Sequence, residues 1–494
     1  MIELKELIVP KSHRSYWSLG MQPWTKISRM PAPAIKEMQN SLLQQMLTGE
    51  LAVRHPYYRE LFKEKSINPA DIKRIEDLKK IPFTEKTDVA PNPDDRFVPK
   101  KFVLEKPKEK KQAKKGFLSR LFGNKSDDDL SDYIFQTLFI TSGRTGSKPV
   151  PIEYTQYDIA NLKEAGSRFF DIMDLTRDDT LINAFNYLPN PYYWQMYHST
   201  IDIGATALQS GGGKVLGLEK ILKATENMKA KVLATSPGYA LFALQTLGRF
   251  GIEIENLERI VIGIDYSPEV LVKRLQKILS SLGVKEPKVQ RSYFLSEAKS
   301  GWAECTLGCG YHTNPDHVLV EIVDPETGEV LEEGKQGEVV ITNLDARGTV
   351  FLRFKTGDIA TGGFTTEPCP NCKRTVPRIM GDIERKSLFY KLKGENGSVL
   401  LNGNRLKHTM LSREDILCWY AEIHSGQSGD ELKIVFKEGH SADKDDVRKS
   451  LETELVEKHG VPVKIESSSF NPIFQKTGME KFITEQTIFD NRKD

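Results

Sequence analysis

Two stretches of the chain carry residue types whose spacing suits chemistry. The first is Thr141-Ser142-Gly143-Arg144-Thr145-Gly146-Ser147-Lys148-Pro149, directly after the apolar run TLFI. Gly143 and Gly146 let the backbone bend so that several N–H groups point into one concavity. The hydroxyls of Thr141, Ser142, Thr145 and Ser147 add donors, and Arg144 and Lys148 add positive charge. Such a set suits a polyphosphate. It is not the GxxxxGK[ST] loop, because Pro149 follows Lys148. A polar glycine loop also serves as a plain turn, and both readings stand. The second stretch is split: four of the five cysteines fall in two clusters, Cys305-x3-Cys309-x2-His312 and Cys369-Pro-Asn-Cys372. A CxxC turn presents two thiolates to one ion, and a second pair completes a tetrahedron. Zinc on Cys305, His312, Cys369 and Cys372 would fill every position and so be structural. Cys309 competes as the fourth ligand, and unligated reduced thiols are the plainer alternative. Cys418, in the apolar run ILCWY, reads as a core thiol.

These residues need elements to hold them. TLFIT (137–141), KVLAT (231–235) and RIVIG (259–263) read as buried strands, and 217–228 and 267–283 as helices between or after strands. That alternation predicts an α/β layered domain with a mostly parallel sheet. Residues 317–344 predict two or three strands with DPETGE as a hairpin turn. Residues 433–438, 446–460 and 462–466 read as strand, helix and strand of a small α+β unit. Near the start, Ile35, Met38, Leu42, Leu43, Met46 and Leu47 repeat at helical spacing, the pattern of a core stripe. The expected fold class is α/β. A large layered α/β N-terminal domain with a β-rich portion covers 1–381, and a small mobile α+β C-terminal domain covers 382–494.

Several segments, in order, resemble the phenylacetate–CoA ligase family of the adenylate-forming (acyl-CoA synthetase) superfamily. The loop 141–149 is similar to that superfamily's [ST]SGTTGxPK. LINAFNYLPNP, IDIGATALQSGGG (201–213), KAKVLATSPGYAL (229–241), RIVIGID (259–265), SYFLSE (292–297), GEVVITNL and FLRFKTGDIA (351–360) follow. The resemblance covers roughly 130–380 well and implies an AMP-forming acid–CoA ligase. Such an enzyme joins a carboxylic acid to ATP and passes the acyl group to coenzyme A. Delivery of the acyl-adenylate to a carrier protein or an amine, and a nucleotide-binding module without catalysis, are the alternatives. The resemblance implies phosphate holding by Thr141, Ser142, Gly143, Arg144, Thr145, Gly146 and Lys148, and a magnesium contact at Glu297. It implies ribose holding by Asp358, and adenine near Gly263, Asp265 and the ring of Tyr293. Tyr187, Tyr192, Tyr193, Trp194 and Tyr239 stand where the family lines its acid pocket, with His198 nearby. Cys305 and His312 match a Cys-x6-His seen in some members. A homodimer is common in the family.

The sequence also departs from that pattern. Met479 stands where a Thr-Gly-Lys segment carries a catalytic lysine, leaving Lys476 or Lys481 as the cation that reaches instead. Asp382 stands where the family has arginine, and Glu384 falls at the hinge position. Residues 394–412 are longer and more polar than expected.

Composition bounds the rest. At roughly 150 residues per domain, 494 residues exceed one ordinary core. Lys+Arg of 70 against Asp+Glu of 68 argues against a nucleic-acid partner. No apolar run reaches the ~18–20 residues that span a bilayer, and the acidic start lacks a secretory h-region. Five cysteines without a signal point to a reducing, cytoplasmic setting. The basic segment within 105–130 reads as a solvated, disordered insertion. Its stretch 106–125 sets seven lysines and one arginine against one glutamate. With Phe117, Leu118, Leu121 and Phe122 on one short helix face, the same stretch also suits a weak membrane-surface contact.

Overall fold

The computed structural model of the chain describes residues 23–89, 99–107, 132–141, 149–187, 189–394, 397–426, 429–439, 442–459, 463–478 and 486–492. The basic stretch 108–131 lies outside them. Helix α1 (Ala32–Gln45) opens with Pro33 in its first turn, where the missing N–H costs nothing. It buries Ile35 and Leu43, and a π-helical turn at Met46–Leu51 buries Met46 and Leu47, so the expected stripe does face the core. Helix α2 (Pro56–Glu64) is capped by the His55 ring, which accepts the Tyr58 N–H at 3.3 Å. A short α3 (Lys86–Val89) follows.

Strands β1 (Phe135–Ile140) and β2 (Pro151–Thr155) form an antiparallel pair. The sequence predicts 137–141 as a buried strand; there Phe139 is fully buried, its ring edge-on to Tyr154 at 4.7 Å, while Thr137, Leu138, Ile140 and Thr141 are half-buried. A two-stranded ladder has no second sheet face to cover its outer residues, so an apolar run alone did not fix its depth.

From here strands and helices alternate as expected. Helix α4 (Gln156–Ile172) begins with a reciprocal Thr155/Asp158 capping box. Then come β3 (Thr180–Asn183), α5 (Pro191–Ile203), β4 (Thr206–Gln209), α6 (Leu218–Asn227), β5 (Val232–Thr235), α7 (Pro237–Phe250), β6 (Arg259–Ile262), α8 (Glu269–Ser281) and β7 (Lys288–Leu295). These strands lie parallel in the order β4-β3-β5-β6-β7. Strand β7 then turns antiparallel onto β8 (Ser300–Ala303), which meets β9 (Tyr311–His312). The chain leaves to build β10 (Val318–Val323), β11 (Gly337–Asn343) and β12 (Phe354–Ala360), the first two being the predicted hairpin. It returns as β13 (Phe364–Thr365) and β14 (Arg378–Ile379) on the edge of β9, and β15 (Ile383–Arg385) then adds to β12. The central sheet therefore has nine strands, a parallel half and an antiparallel half, rather than being mostly parallel. Two-residue strands such as β9, β13 and β14 are too short to show a period.

The C-terminal part has its own core, built around Leu392, Leu406, Ile423, Ile434, Phe436 and Leu451. It comprises the hairpin β16 (Phe389–Gly394) and β17 (Gly397–Asn402), then α9 (Gly403–Ser412), β18 (Ile416–Ser425), β19 (Asp430–Glu438), α10 (Lys444–His459), β20 (Val463–Ser467), α11 (Phe470–Lys476) and β21 (Ile488–Asp490). Its sheet runs β20-β19-β18-β21. Cys418 is buried in β18 beside Val435 and Ile473. Among the contacts that tie this part to the larger one are a set of hydrogen bonds and an aromatic seam. Arg274 of α8 donates to the carbonyls of Leu411 (3.3 Å) and Ile416 (2.7 Å). Phe242 of α7 lies 4.9 Å from the rings of both Phe470 and Phe474. Among the described residues, no helix is long and apolar enough to cross a membrane.

Candidate functional site

Of the residues singled out for nucleotide chemistry, Gly263, Asp265, Tyr293 and Glu297 lie at the carboxyl ends of β6 and β7, where open α/β sheets hold ligands, and Asp358 joins them from β12. Gly263 follows β6. A Cβ there would meet Ser292 Oγ at 2.1 Å, so the close approach of β6 to β7 requires glycine. Ile264 sits at φ +81, a region a β-branched residue rarely enters. Such strain collects at functional sites. It turns the chain so that Asp265 follows, with its Oδ1 accepting the Tyr266 N–H at 2.8 Å.

Asp358 lies on β12, fully buried, just after Gly357, whose φ of +76 also favours glycine. The hydroxyl of Tyr293 on β7 donates to its Oδ2 at 2.7 Å. Burial, and then the neighbouring Asp358 charge, push the Tyr293 pKa well up, which keeps that hydroxyl a donor. The Tyr293 ring is itself buried, edge-on to Trp302 (5.6 Å) and Tyr311 (5.9 Å). Glu297, two residues beyond β7, is buried with 6% exposure. Burial raises its pKa, the positive charges of Lys86 and Arg385 pull it back, and Asp358 adds to the rise. Thr141 closes the phosphate-loop segment from outside: its hydroxyl accepts the Val150 N–H at 2.9 Å. Ser142, Gly143, Arg144, Thr145, Gly146 and Lys148 fall outside the described residues, as do Met479 and Lys481.

Three further cations belong to this edge and carry no motif in the sequence. Lys86 comes from α3 and acts on Glu297. Arg385 on β15 places Nη1 2.9 Å from Asp358 Oδ1. Lys407 on α9 lies 3.5 Å from Asp265 Oδ1. None sits in a recognisable motif, and only the fold brings each to the acids. Lys476, by contrast, pairs with Glu422 at 2.8 Å on β18, so in this structure it does not reach the nucleotide edge. Asp382 receives Arg291 Nη1 at 2.5 Å, and Arg291 also holds Glu304 through Nε (2.6 Å) and Nη2 (2.8 Å). Burial first, then the charge of Asp382, raises the pKa of Glu384 at the hinge position.

The expected acid-pocket aromatics do not share one environment. Tyr192 and Tyr193 of α5 are buried in one apolar cluster, Trp194 is partly buried, and Tyr239 of α7 belongs to another cluster. Tyr187 is half exposed, and its hydroxyl donates to the Gln209 carbonyl at 3.1 Å. His198 is half-buried; burial, then Lys163, lowers its pKa to about 4, so it is neutral at physiological pH.

The cysteine clusters meet as their spacing suggests. The donor atoms of Cys305, His312, Cys369 and Cys372 all lie within 4.8 Å of one another. Pairing of Ala303 with His312, and of His312 with Arg378, brings the two segments together. Cys305 Sγ is 3.6 Å from Cys369 Sγ, and Cys372 Sγ is 3.2 Å from His312 Nε2. His312 Nδ1 is 3.2 Å from the Ala303 carbonyl, the contact that aims Nε2 inward. Cys309 is buried but is not one of these four.

This architecture is the fold of a solved acyl-CoA ligase. The chain superposes on 2-hydroxyisobutyryl-CoA ligase in its postadenylation state with a TM-score of 0.74 and 18% identity, over 95% of this chain and 94% of that one. Against the same ligase in its thioesterification state the TM-score is 0.58, with 17% identity over 96% and 94%. By sequence the chain is similar to phenylacetate-coenzyme A ligases. It is 27% identical over 376 residues to that of Thermus thermophilus, covering 75% of each chain. It is 25% identical over 366 residues to that of Escherichia coli, covering 72% of each. No family profile matches the chain.

Proposed function

We propose that this protein activates a carboxylic acid with ATP through an acyl-adenylate and transfers the acyl group to coenzyme A. One observation carries the reading: Gly263, Asp265, Tyr293 and Glu297, at the carboxyl ends of β6 and β7, lie beside Asp358 of β12 on a fold shared with a solved acyl-CoA ligase. Asp358 accepts ribose hydroxyls, and Asp265 with Gly263 borders adenine. Arg144, Thr145 and Lys148 hold the phosphates, and Lys481 is the lysine left to approach from the C-terminal part. Magnesium, when bound, would neutralise charge on the phosphates, with Glu297 as the residue to hold it. Glu297 suits it as a buried hard carboxylate whose burial alone disfavours its charge. Aromatic residues near α5 favour an aryl or other apolar acid. The unit from 382 onward acts as the lid, with Glu384 at its hinge.

The three thiols and one imidazole fit a structural zinc ion, because all four positions are protein donors and Nε2 already points at the thiols. A reducing compartment such as the cytoplasm keeps those thiols available. A dimer of two such chains and a weak lipid contact at 106–125 are further parts of this reading.

The test is ATP–pyrophosphate exchange with a panel of aryl and fatty acids, followed by thioester formation with coenzyme A. Acid-dependent exchange that proceeds to thioester is the expected result. Exchange without thioester would move the acceptor to a carrier protein or amine. ATP binding without exchange for any acid would sink the enzymatic reading.

A further inference from the structure

Arg385 is placed by register. Strand β15 runs antiparallel to β12 with Arg385 directly opposite Asp358. Its backbone is clamped from both sides by Asn404: the Arg385 N–H donates to Asn404 Oδ1 at 3.0 Å, and Asn404 Nδ2 donates to the Arg385 carbonyl at 2.9 Å. The side chain is not sealed, being 34% exposed, while Asp358 is fully buried. Oδ2 of Asp358 takes the Tyr293 hydroxyl, while Oδ1 has Arg385 Nη1 2.9 Å away as an ion pair but accepts no hydrogen bond. An ordinary cross-strand ion pair on a sheet would end there. This guanidinium is also within electrostatic reach of Asp265, Tyr192 and Glu297, which come from three other segments.

The two halves of this pair match the two halves of a nucleotide. Ribose hydroxyls are donors and need a carboxylate. Phosphate oxygens are acceptors and need a cation, for which a guanidinium fork is the best side-chain match. A ribose seated on Asp358 competes with Arg385 for Oδ1. The guanidinium it displaces, a third of it exposed, is then left to take phosphate oxygens. We propose that Arg385 is a nucleotide-positioning residue that competes with ribose for Asp358 and binds the phosphate chain. It rests on the reading that Asp358 takes the ribose. It also accounts for Asp382: the arginine expected there is replaced by an acid held by Arg291, and the cation of this edge comes from three residues further on.

The test uses the full chain and calorimetric titration with two probes, adenosine and ATP with magnesium. In Arg385→Gln, adenosine should bind as tightly as before or tighter, because its competitor for Asp358 is gone. ATP should bind more weakly, raising the ratio of the ATP Kd to the adenosine Kd at least about tenfold. Arg385→Lys, which keeps a cation opposite Asp358, should raise that ratio less. It supplies the same readout if the glutamine variant does not fold. A ratio unchanged in both variants, or an equal loss of both ligands, would mean a purely structural ion pair and overturns the proposal. A wild-type protein that binds neither probe overturns the ribose reading of Asp358, and this inference with it.

Discussion

The cysteine knuckle and the nucleotide edge are built in opposite ways. The knuckle draws its four donors from two short segments pinned by the β8-β9-β14 ladder, and all four lie within 4.8 Å. The nucleotide edge draws Gly263, Tyr293, Glu297 and Asp358 from the large part of the chain, then takes Arg385 and Lys407 from 382 onward. A closed donor set suits an ion that stays. A set of acids facing cations from several segments, one of them (Lys407) on the separately packed C-terminal unit, suits a ligand that enters and leaves. The position of its charges therefore separates a site meant to be permanent from one meant to exchange.

Arg291 joins the two regions, since it holds Glu304, next to Cys305, and Asp382, next to the hinge. Arg291→Met should break the contrast. It leaves Glu304 and Asp382 without their buried partner and should cost about 3–5 kcal/mol in denaturant unfolding. If the variant also loses zinc, the two regions are one mechanical unit. Cys369→Ser should sharpen the contrast: zinc content by elemental analysis falls toward zero, stability drops by about 3 kcal/mol, and exchange activity per folded molecule persists. Glu297→Gln should do the reverse, lowering pyrophosphate exchange about a hundredfold, or about 2.7 kcal/mol, with zinc content unchanged.

A fourth expectation concerns pH and lies outside both regions. Burial, partly offset by hydrogen bonding of the ring to backbone carbonyls such as that of Val350, lowers the His55 pKa from 6.5 to about 3. The unfolded chain therefore binds the proton first. His55 contributes nothing to pH dependence above pH 6.5, and stability falls as pH drops below it, by up to about 1.4 kcal/mol per unit. Denaturant unfolding at pH 7 and pH 5 should show a smaller acid loss in His55→Gln than in wild type. Smallest of all, Phe389→Ser on the exposed hairpin should change stability by no more than about 0.5 kcal/mol.

How much of this was legible follows from signal length. Helices α6, α8 and α10 each span several turns and announce themselves by period. Glu297 and Asp358 lie in short motifs with recognisable neighbours. The CxxC turn is specific by itself, and its partner segment could be named although the ladder joining them could not. What escaped has no local signature. Lys86, Arg385 and Lys407 sit in no recognisable motif, and tertiary register alone assigns them. Strand β1 misled because apolarity reports hydrophobicity and not which sheet a strand joins. The aromatic group at 187–194 looked uniform, yet Tyr187 is half exposed while Tyr193 is buried.

The seam between Phe242 and the Phe470–Phe474 pair has a thermal consequence. Apolar contact of this kind weakens on cooling, because its driving force near room temperature is entropic and carries a large heat-capacity change. The other fastening, Arg274 on the carbonyls of Leu411 and Ile416, is a set of charge-assisted hydrogen bonds without that dependence. One side of the joint loosens in the cold while the other holds. Temperature thus tilts the way the C-terminal unit is gripped, and shifts its pivot from the aromatic face toward α8.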